Sequence, residues 1–239
     1  METRCDEIAE RIFRLSTFVA SAGGPAGLTF NQFLIDADEP LLFHTGQRAL
    51  FASVVEAVRR VRDPAGLRWV TFSHNEADES GAVNEWLEAA PRATAAHNRL
   101  GCSTGIGDHV VRPPRILRND EVIELGGKRV RWLDTPHLPH GWDAGLLYEE
   151  TTGTLFTSDL FTQFGSHAAV SEADIVEPAI AVDDRLGFTP VTANTAAMLQ
   201  RLAELKPRRL ALMHGPTFTG DAPGALAALA GHYRTKLRG

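Results

Sequence analysis

The tightest constraint on this chain is a run of six residues, His74-Asn75-Glu76-Ala77-Asp78-Glu79. It holds one imidazole and three carboxylates, and it follows closely on Leu67-Arg68-Trp69-Val70-Thr71-Phe72, a β-branched and aromatic stretch that reads as a strand. Ionisable groups packed this densely beside an apolar strand repel one another and lose solvation unless a cation compensates them. An exposed, solvated acidic loop is the plain alternative. Residues two apart on a sharp loop point in alternating directions, so they can reach two neighbouring positions, which suits two ions better than one.

The same address recurs along the chain. His140 follows a strand that ends at Asp134, Asp159 closes a hairpin strand in Thr157-Ser158-Asp159, and His214 ends a strand just before Gly215-Pro216. Taken singly, each reads more simply as a hydrogen-bonded surface or capping residue. Together they place His74, Glu76, Asp78, His140, Asp159 and His214 at the ends of separate strands, where loops converge, and they form the candidate ligand set.

The pattern between these points is that of an α/β chain. Leu28 to Ile35 and Leu41 to His44 read as an antiparallel pair around a turn-prone Asp36–Pro40 segment. Phe51, Val54, Val55, Val58 and Val61 make one apolar helical stripe. Helical patterns come next over Ala82–Ala90 and Thr94–Leu100. Gly126-Gly127 and Thr151-Thr152-Gly153 mark two hairpins, 122–134 and 146–157. Pro190–Leu205 reads as a helix leading into the strand 209–213, and an Ala-rich helix spans Pro223–Leu237. Two successive β-then-α blocks predict two sheets stacked face to face with helices outside both. At 239 residues, one domain over 1–239 is the expectation.

Composition excludes several classes of function. A formal charge of −6 with scattered arginines gives no pull toward nucleic acid or anionic lipid. The segment Met1–Arg14 is too charged for a signal peptide, and no apolar run is long enough to cross a bilayer, so a cytoplasmic protein is expected. Cys5 and Cys102 are isolated and read as reduced thiols. Gly101–Gly107 is glycine-rich but lacks the Lys-Ser/Thr of a phosphate loop, and reads as a mobile connection.

These motifs, in this order, resemble the metallo-β-lactamase superfamily, and within it the branch of flavodiiron and related oxygen-binding di-iron proteins. His74-Asn75-Glu76-Ala77-Asp78 is similar to that branch's H-x-E-x-D-H loop through its fifth position, and Ser80-Gly81 fits the continuation of that loop. His140-Gly141-Trp142-Asp143-Ala144-Gly145, Phe156-Thr157-Ser158-Asp159-Leu160-Phe161 and Met213-His214-Gly215-Pro216 resemble its later ligand segments. The resemblance covers most of the chain and implies a four-layer αββα sandwich of two mixed sheets. It also implies a first metal on His74, Glu76 and His140, a second on Asp78 and His214, and Asp159 as the bridge. Glu79 departs from the branch, which has histidine there: it is either a further ligand or a hydrogen-bonding support for one.

Carboxylates in place of imidazoles make a harder site, moving preference from zinc toward iron or manganese. The expected cofactor is therefore a pair of iron ions, with manganese or zinc as alternatives and no flavin in this chain. The resemblance implies a protein that binds dioxygen or nitric oxide and either reduces it, with an external electron donor, or holds it as a signal, in a homodimeric assembly. The competing reading is a two-metal hydrolase of an ester, thioester or phosphodiester, in which His137 supplies a proton or an orienting hydrogen bond. Trp142, Tyr148, Phe161 and Phe164 are candidates to wall a pocket, though packing is the simpler role for each. His44 is a candidate support near the site, with a satisfied structural histidine as the simpler role, whereas His97, His109, His167 and His232 receive no chemistry.

Overall fold

The structure, a computed structural model, describes residues 1–238. Its first sheet keeps chain order through β1 (Thr3–Ala9), β2 (Ile12–Val19), β3 (Leu28–Ile35), β4 (Leu41–Phe43), β5 (Trp69–Thr71), β6 (Thr94–Asn98) and β7 (Arg115–Leu117). The pairs from β1 to β4 are antiparallel and those from β4 to β7 parallel. The second sheet contains β8 (Val122–Glu124), β9 (Arg129–Asp134), β10 (Gly145–Glu149), β11 (Thr154–Ser158), β12 (Val170–Ser171), β13 (Arg209–Leu212) and β14 (Thr217–Phe218). Its order is β12-β14-β13-β11-β10-β9-β8, also mixed.

The two sheets stack through Ile12, Phe33, Phe43 and Trp69 on one side and Val130, Trp132, Leu147 and Phe156 on the other. Phe156 meets Phe33 at 5.1 Å and Phe43 at 5.4 Å between ring centroids. Helices α1 (Phe51–Arg59), α2 (Ala77–Ser80) and α3 (Val83–Ala89) come after β4 and β5. Of these, α1 and α3 cover the outer face of the first sheet with Val54, Val58 and Trp86. Short helical turns α4 (Arg99–Gly101) and α5 (Gly107–His109) flank a π turn at Cys102–Ile106. The outer face of the second sheet is covered by α6 (Val176–Leu186), α7 (Thr195–Glu204) and α8 (Ala222–Lys236), through Ala179, Leu199, Leu202, Leu226 and Leu229. Each fully buried leucine or phenylalanine contributes about 1.5–3 kcal/mol, so three apolar layers hold the four-layer αββα sandwich together.

Several elements differ from the sequence reading. Thr94–Asn98 is a strand, not a helix: Ala95 packs into the outer core and Ala96 into the inner one. Burial on both faces outweighs the helix preference of alanine. The N-terminal segment, read only as too charged for a leader, forms the hairpin β1–β2, whose edge strand turns Arg4, Asp6 and Glu7 away from the core and so resists further pairing. Helix α6 was not foreseen, and α7 begins at Thr195, five residues after Pro190. Gly101–Gly107, expected to be a mobile connection, is helical, with Gly101 packed so closely on His97 that a Cβ would lie 2.4 Å from its Nδ1. Among the described residues, no helix is long and apolar enough to cross a membrane.

The consequence for function lies in strand direction. Parallel β4, β5 and β6 end at one edge of the first sheet, and β9, β11 and β13 share one direction in the second. The segments after them bring His44, His74, His140, Asp159 and His214 to one rim of the sandwich.

Candidate metal centre

His74, Glu76, His140 and Asp159 each present a ligand atom, and these atoms lie within 4.8 Å of one another. Nε2 of His74 and Nε2 of His140 both stand 2.9 Å from Glu76 Oε2. Asp159 faces two ways. Its Oδ2 is 3.6 Å from His74 Nε2 and 3.5 Å from His140 Nε2, while its Oδ1 is 3.1 Å from His214 Nε2. That last nitrogen also stands 3.2 Å from Asp78 Oδ2. All six candidate ligands therefore meet, as two groups that share Asp159.

The donor set fits divalent cations. Asp159 Oδ1 is buried without an aligned hydrogen-bond donor, although His214 is close, as expected of an oxygen shaped for a metal rather than a proton. His214 Nδ1 donates to Thr29 O at 2.8 Å, which fixes the tautomer that leaves Nε2 free to ligate. Burial alone would lower the proton affinity of His74, but Glu79, Glu76 and Asp159 outweigh it and hold its imidazolium up to about 10. His214 and His140 are raised for the same reason, their own carboxylate partners overcoming burial. Hydrogen bonds from His140 and His74 hold Glu76 well below the usual carboxylate range. Burial would raise Asp159, yet His214, His74 and His140 bring it down to about 2. The cluster attracts positive charge, and a metal ion competes with protons for the same atoms.

The surrounding loops are pinned by residues that spacing alone did not single out. Asn75 N donates to Asp143 Oδ2 at 3.0 Å, and Asn98 Nδ2 donates to Asp143 O at 2.9 Å, tying the His74 loop to the segment after His140. His97, given no chemistry in the sequence reading, is fully buried and donates from Nε2 to Ser73 O at 3.1 Å. His44 is buried beside Glu79, its Nε2 3.4 Å from Oε1, in keeping with a supporting position. Burial lowers His44 to about 3 and His97 to about 4, so both act as neutral rings. The only sequence signal for these two was a histidine at or next to a strand's end, and that is common.

Two clefts reach the cluster. One, of about 350 Å³, is walled by Leu28, Phe164, Leu186 and Phe188 and has Glu76, Asp78, His140, Asp159 and His214 along its floor. The other, of about 390 Å³, meets Glu76 and His140 from the side of Asn75, Thr104 and Asp143. Of the aromatic candidates, Phe164 lines the first cleft. Trp142 is 61% exposed at the mouth of the second, Phe161 is buried in the core, and Tyr148 turns its hydroxyl to Leu205 O at 3.4 Å. Leu186 and Phe188 were missed because no motif marks the end of α6 or the segment after it; Phe188 stands edge-on to His140 at 5.7 Å. His137 is exposed and lines neither cleft.

Comparison with known proteins bears on the family and the fold. A family model described as ODP family beta lactamase matches residues 28–215. The diflavin flavoprotein A 1 of Synechocystis sp. is 27% identical over 186 residues, covering 73% of this chain and 32% of that protein. The chain spans about a third of the length of the curated relatives it matches. Among solved structures, rubredoxin oxygen:oxidoreductase from Desulfovibrio gigas superposes with a TM-score of 0.80 at 18% identity, over 95% of this chain and 62% of that one. A flavoprotein from Thermotoga maritima gives 0.83 at 19% identity, over 98% and 61%. The two mixed sheets and the matched span agree, and the chain belongs to the ODP beta-lactamase family, in its metallo-β-lactamase-like flavodiiron branch.

Proposed function

We propose that this chain holds two iron ions and uses them to bind dioxygen or nitric oxide and to reduce it when electrons are supplied. The observation that carries this reading is the two-sided Asp159, with His74 and His140 near one oxygen and His214 near the other. His74, Glu76 and His140 would hold the first ion, Asp78 and His214 the second, with Asp159 between them. Glu76, Asp78 and Asp159 offset three of the four positive charges of two divalent ions. A shell so rich in carboxylate favours the trivalent state over the Lewis acidity a hydrolase needs.

When bound, two ferrous ions supply two electrons; dioxygen takes four on the way to water, so turnover draws on an external donor. The chain's own part is to position and to exclude. Thr29 O and Glu79 orient the imidazoles of His214 and His74, and Leu28, Phe164, Leu186 and Phe188 make an apolar wall that limits water at the cluster. The hydrolase alternative loses its proton-handling candidate, because His137 is exposed and lines neither cleft.

The test is metal content and reaction. Protein purified without oxygen should carry iron and change its optical spectrum on exposure to dioxygen or nitric oxide. Protein that carries only zinc and shows no optical change overturns the reading.

A further inference from the structure

Glu79 is the one ionisable residue of the His74–Glu79 run that lines neither of these clefts and is fully buried. Its Oε2 accepts from Ser73 N at 3.0 Å and His74 N at 2.9 Å, and stands 3.3 Å from His74 Nδ1. Its Oε1 accepts from Ser158 Oγ and stands 3.4 Å from His44 Nε2. A carboxylate offers about four lone-pair sites, and these neighbours occupy both oxygens. They come from three places: the residue after β4, the segment after β5, and the last residue of β11. Ser158 has φ +52, a left-handed conformation that costs a non-glycine residue energy and persists only where the surroundings enforce it. The Ser158 hydroxyl bond to Glu79 is such an enforcement, one residue before Asp159.

We propose that Glu79 is a positioning residue that clasps the His74 loop to the Asp159 turn, not a metal ligand. The second metal position is then served by three protein side chains, Asp78, Asp159 and His214, against four at the first. This rests on the two-metal reading of the site. Accordingly, the two positions fill unequally, the first tightly and the second more weakly, and the second ion is the more open to a small molecule.

The experiment is anaerobic calorimetric titration of the full chain with Fe(II), and with Mn(II) as a probe that does not react with oxygen. Wild type, Glu79→Gln and Glu79→Leu are compared. A glutamine keeps an oxygen for the amides of Ser73 and His74, and its NH2 can donate to Ser158 Oγ and His44 Nε2, yet a neutral amide is a poor ligand. The clasp predicts two binding steps at least about tenfold apart in wild type, with Glu79→Gln within about threefold of wild type in both. Glu79→Leu loses the clasp and weakens the first step by about 10–100-fold. Glu79→Gln that binds the first ion normally but loses the second by about tenfold or more makes Glu79 a ligand and overturns the proposal, as do two equal steps in wild type. If Glu79→Leu fails to fold, the glutamine comparison decides alone. Two bound ions without any reaction with oxygen overturn the functional reading and leave the clasp standing; no bound ion overturns both.

Discussion

Acid should loosen the platform beneath the metal loop through one residue, His97. Its ring lies between Phe72 and Trp132, with centroids 5.0 Å away on each side, and its Nε2 donates to Ser73 O. Its Nδ1 is buried with no partner. Burial is the main cause that lowers this imidazole from 6.5 to about 4. The unfolded chain takes up the proton near 6.5 and the native protein only near 4. The unfolded state therefore binds more protons in that window, and stability falls as pH falls through it, with no loss above it. At about 1.4 kcal/mol per pH unit, the whole window corresponds to about 3 kcal/mol, of which about 2 kcal/mol is gone by pH 5. His97→Phe keeps a ring in the slot and removes the titration. Ser73 O retains the amide of Gly145 as a donor, so the variant should be less stable at pH 7.5 by only about 0.5–1.5 kcal/mol. Urea unfolding of the two proteins, prepared identically, should show the wild type losing its advantage between pH 7.5 and pH 5. A stability difference that stays constant across that range refutes the reasoning.

Three further outcomes are expected. Gly145→Ala would place a Cβ 2.1 Å from Trp132 Cζ2 in the closely packed inner layer, and should cost about 1–3 kcal/mol or more in urea unfolding; an unchanged midpoint contradicts the packing. Asp159→Ala removes the carboxylate shared by both groups and should leave one ion or fewer per chain by elemental analysis, whereas two retained ions would argue against a bridge. Metal uptake near pH 7 should release protons, because carboxylates hold His74 protonated up to about 10 and raise His214 and His140 as well. Apparent affinity then rises with pH, and calorimetry in buffers of different ionisation enthalpy counts the protons; an affinity that does not change between pH 6.5 and 8 counts against it.

The candidate ligands were legible in the sequence because each comes soon after a strand and breaks an apolar pattern with a group that apolar surroundings do not tolerate. His74, Asp159 and His214 announce themselves this way, and the turn at Thr151-Thr152-Gly153 fixes where the strand before Asp159 begins. Their supports were not legible, because the logic of those contacts is three-dimensional. Glu79 looks like one more acid in an acidic run; only the fold turns it inward to the amides of Ser73 and His74. Thr29 reaches His214 across 185 positions of sequence through a backbone carbonyl, which carries no residue-type signal. The strand β6 was missed for a related reason. Ala95 and Ala96 have no size or alternation to betray a strand, and they are small because both sheet faces there are already filled.

The placement of Glu76 and His140 divides the site into two environments. Both residues border both clefts, so the pair forms a partition between them. On one side lie Leu28, Phe164, Leu186 and Phe188, which offer a small uncharged gas a medium it prefers to water. On the other lie Asn75, Thr104 and Asp143, whose polar atoms can hold water and so pass protons. Exposure shows the same division. The Glu76 side chain is 52% exposed, against 7% for Asp159 and 8% for His214. If the centre reduces dioxygen as proposed, it needs both supplies, an apolar solute and protons, delivered to the same atoms without flooding the centre with water. Glu76, anchored by the imidazoles of His74 and His140 and half exposed, stands where the polar cleft meets the apolar one.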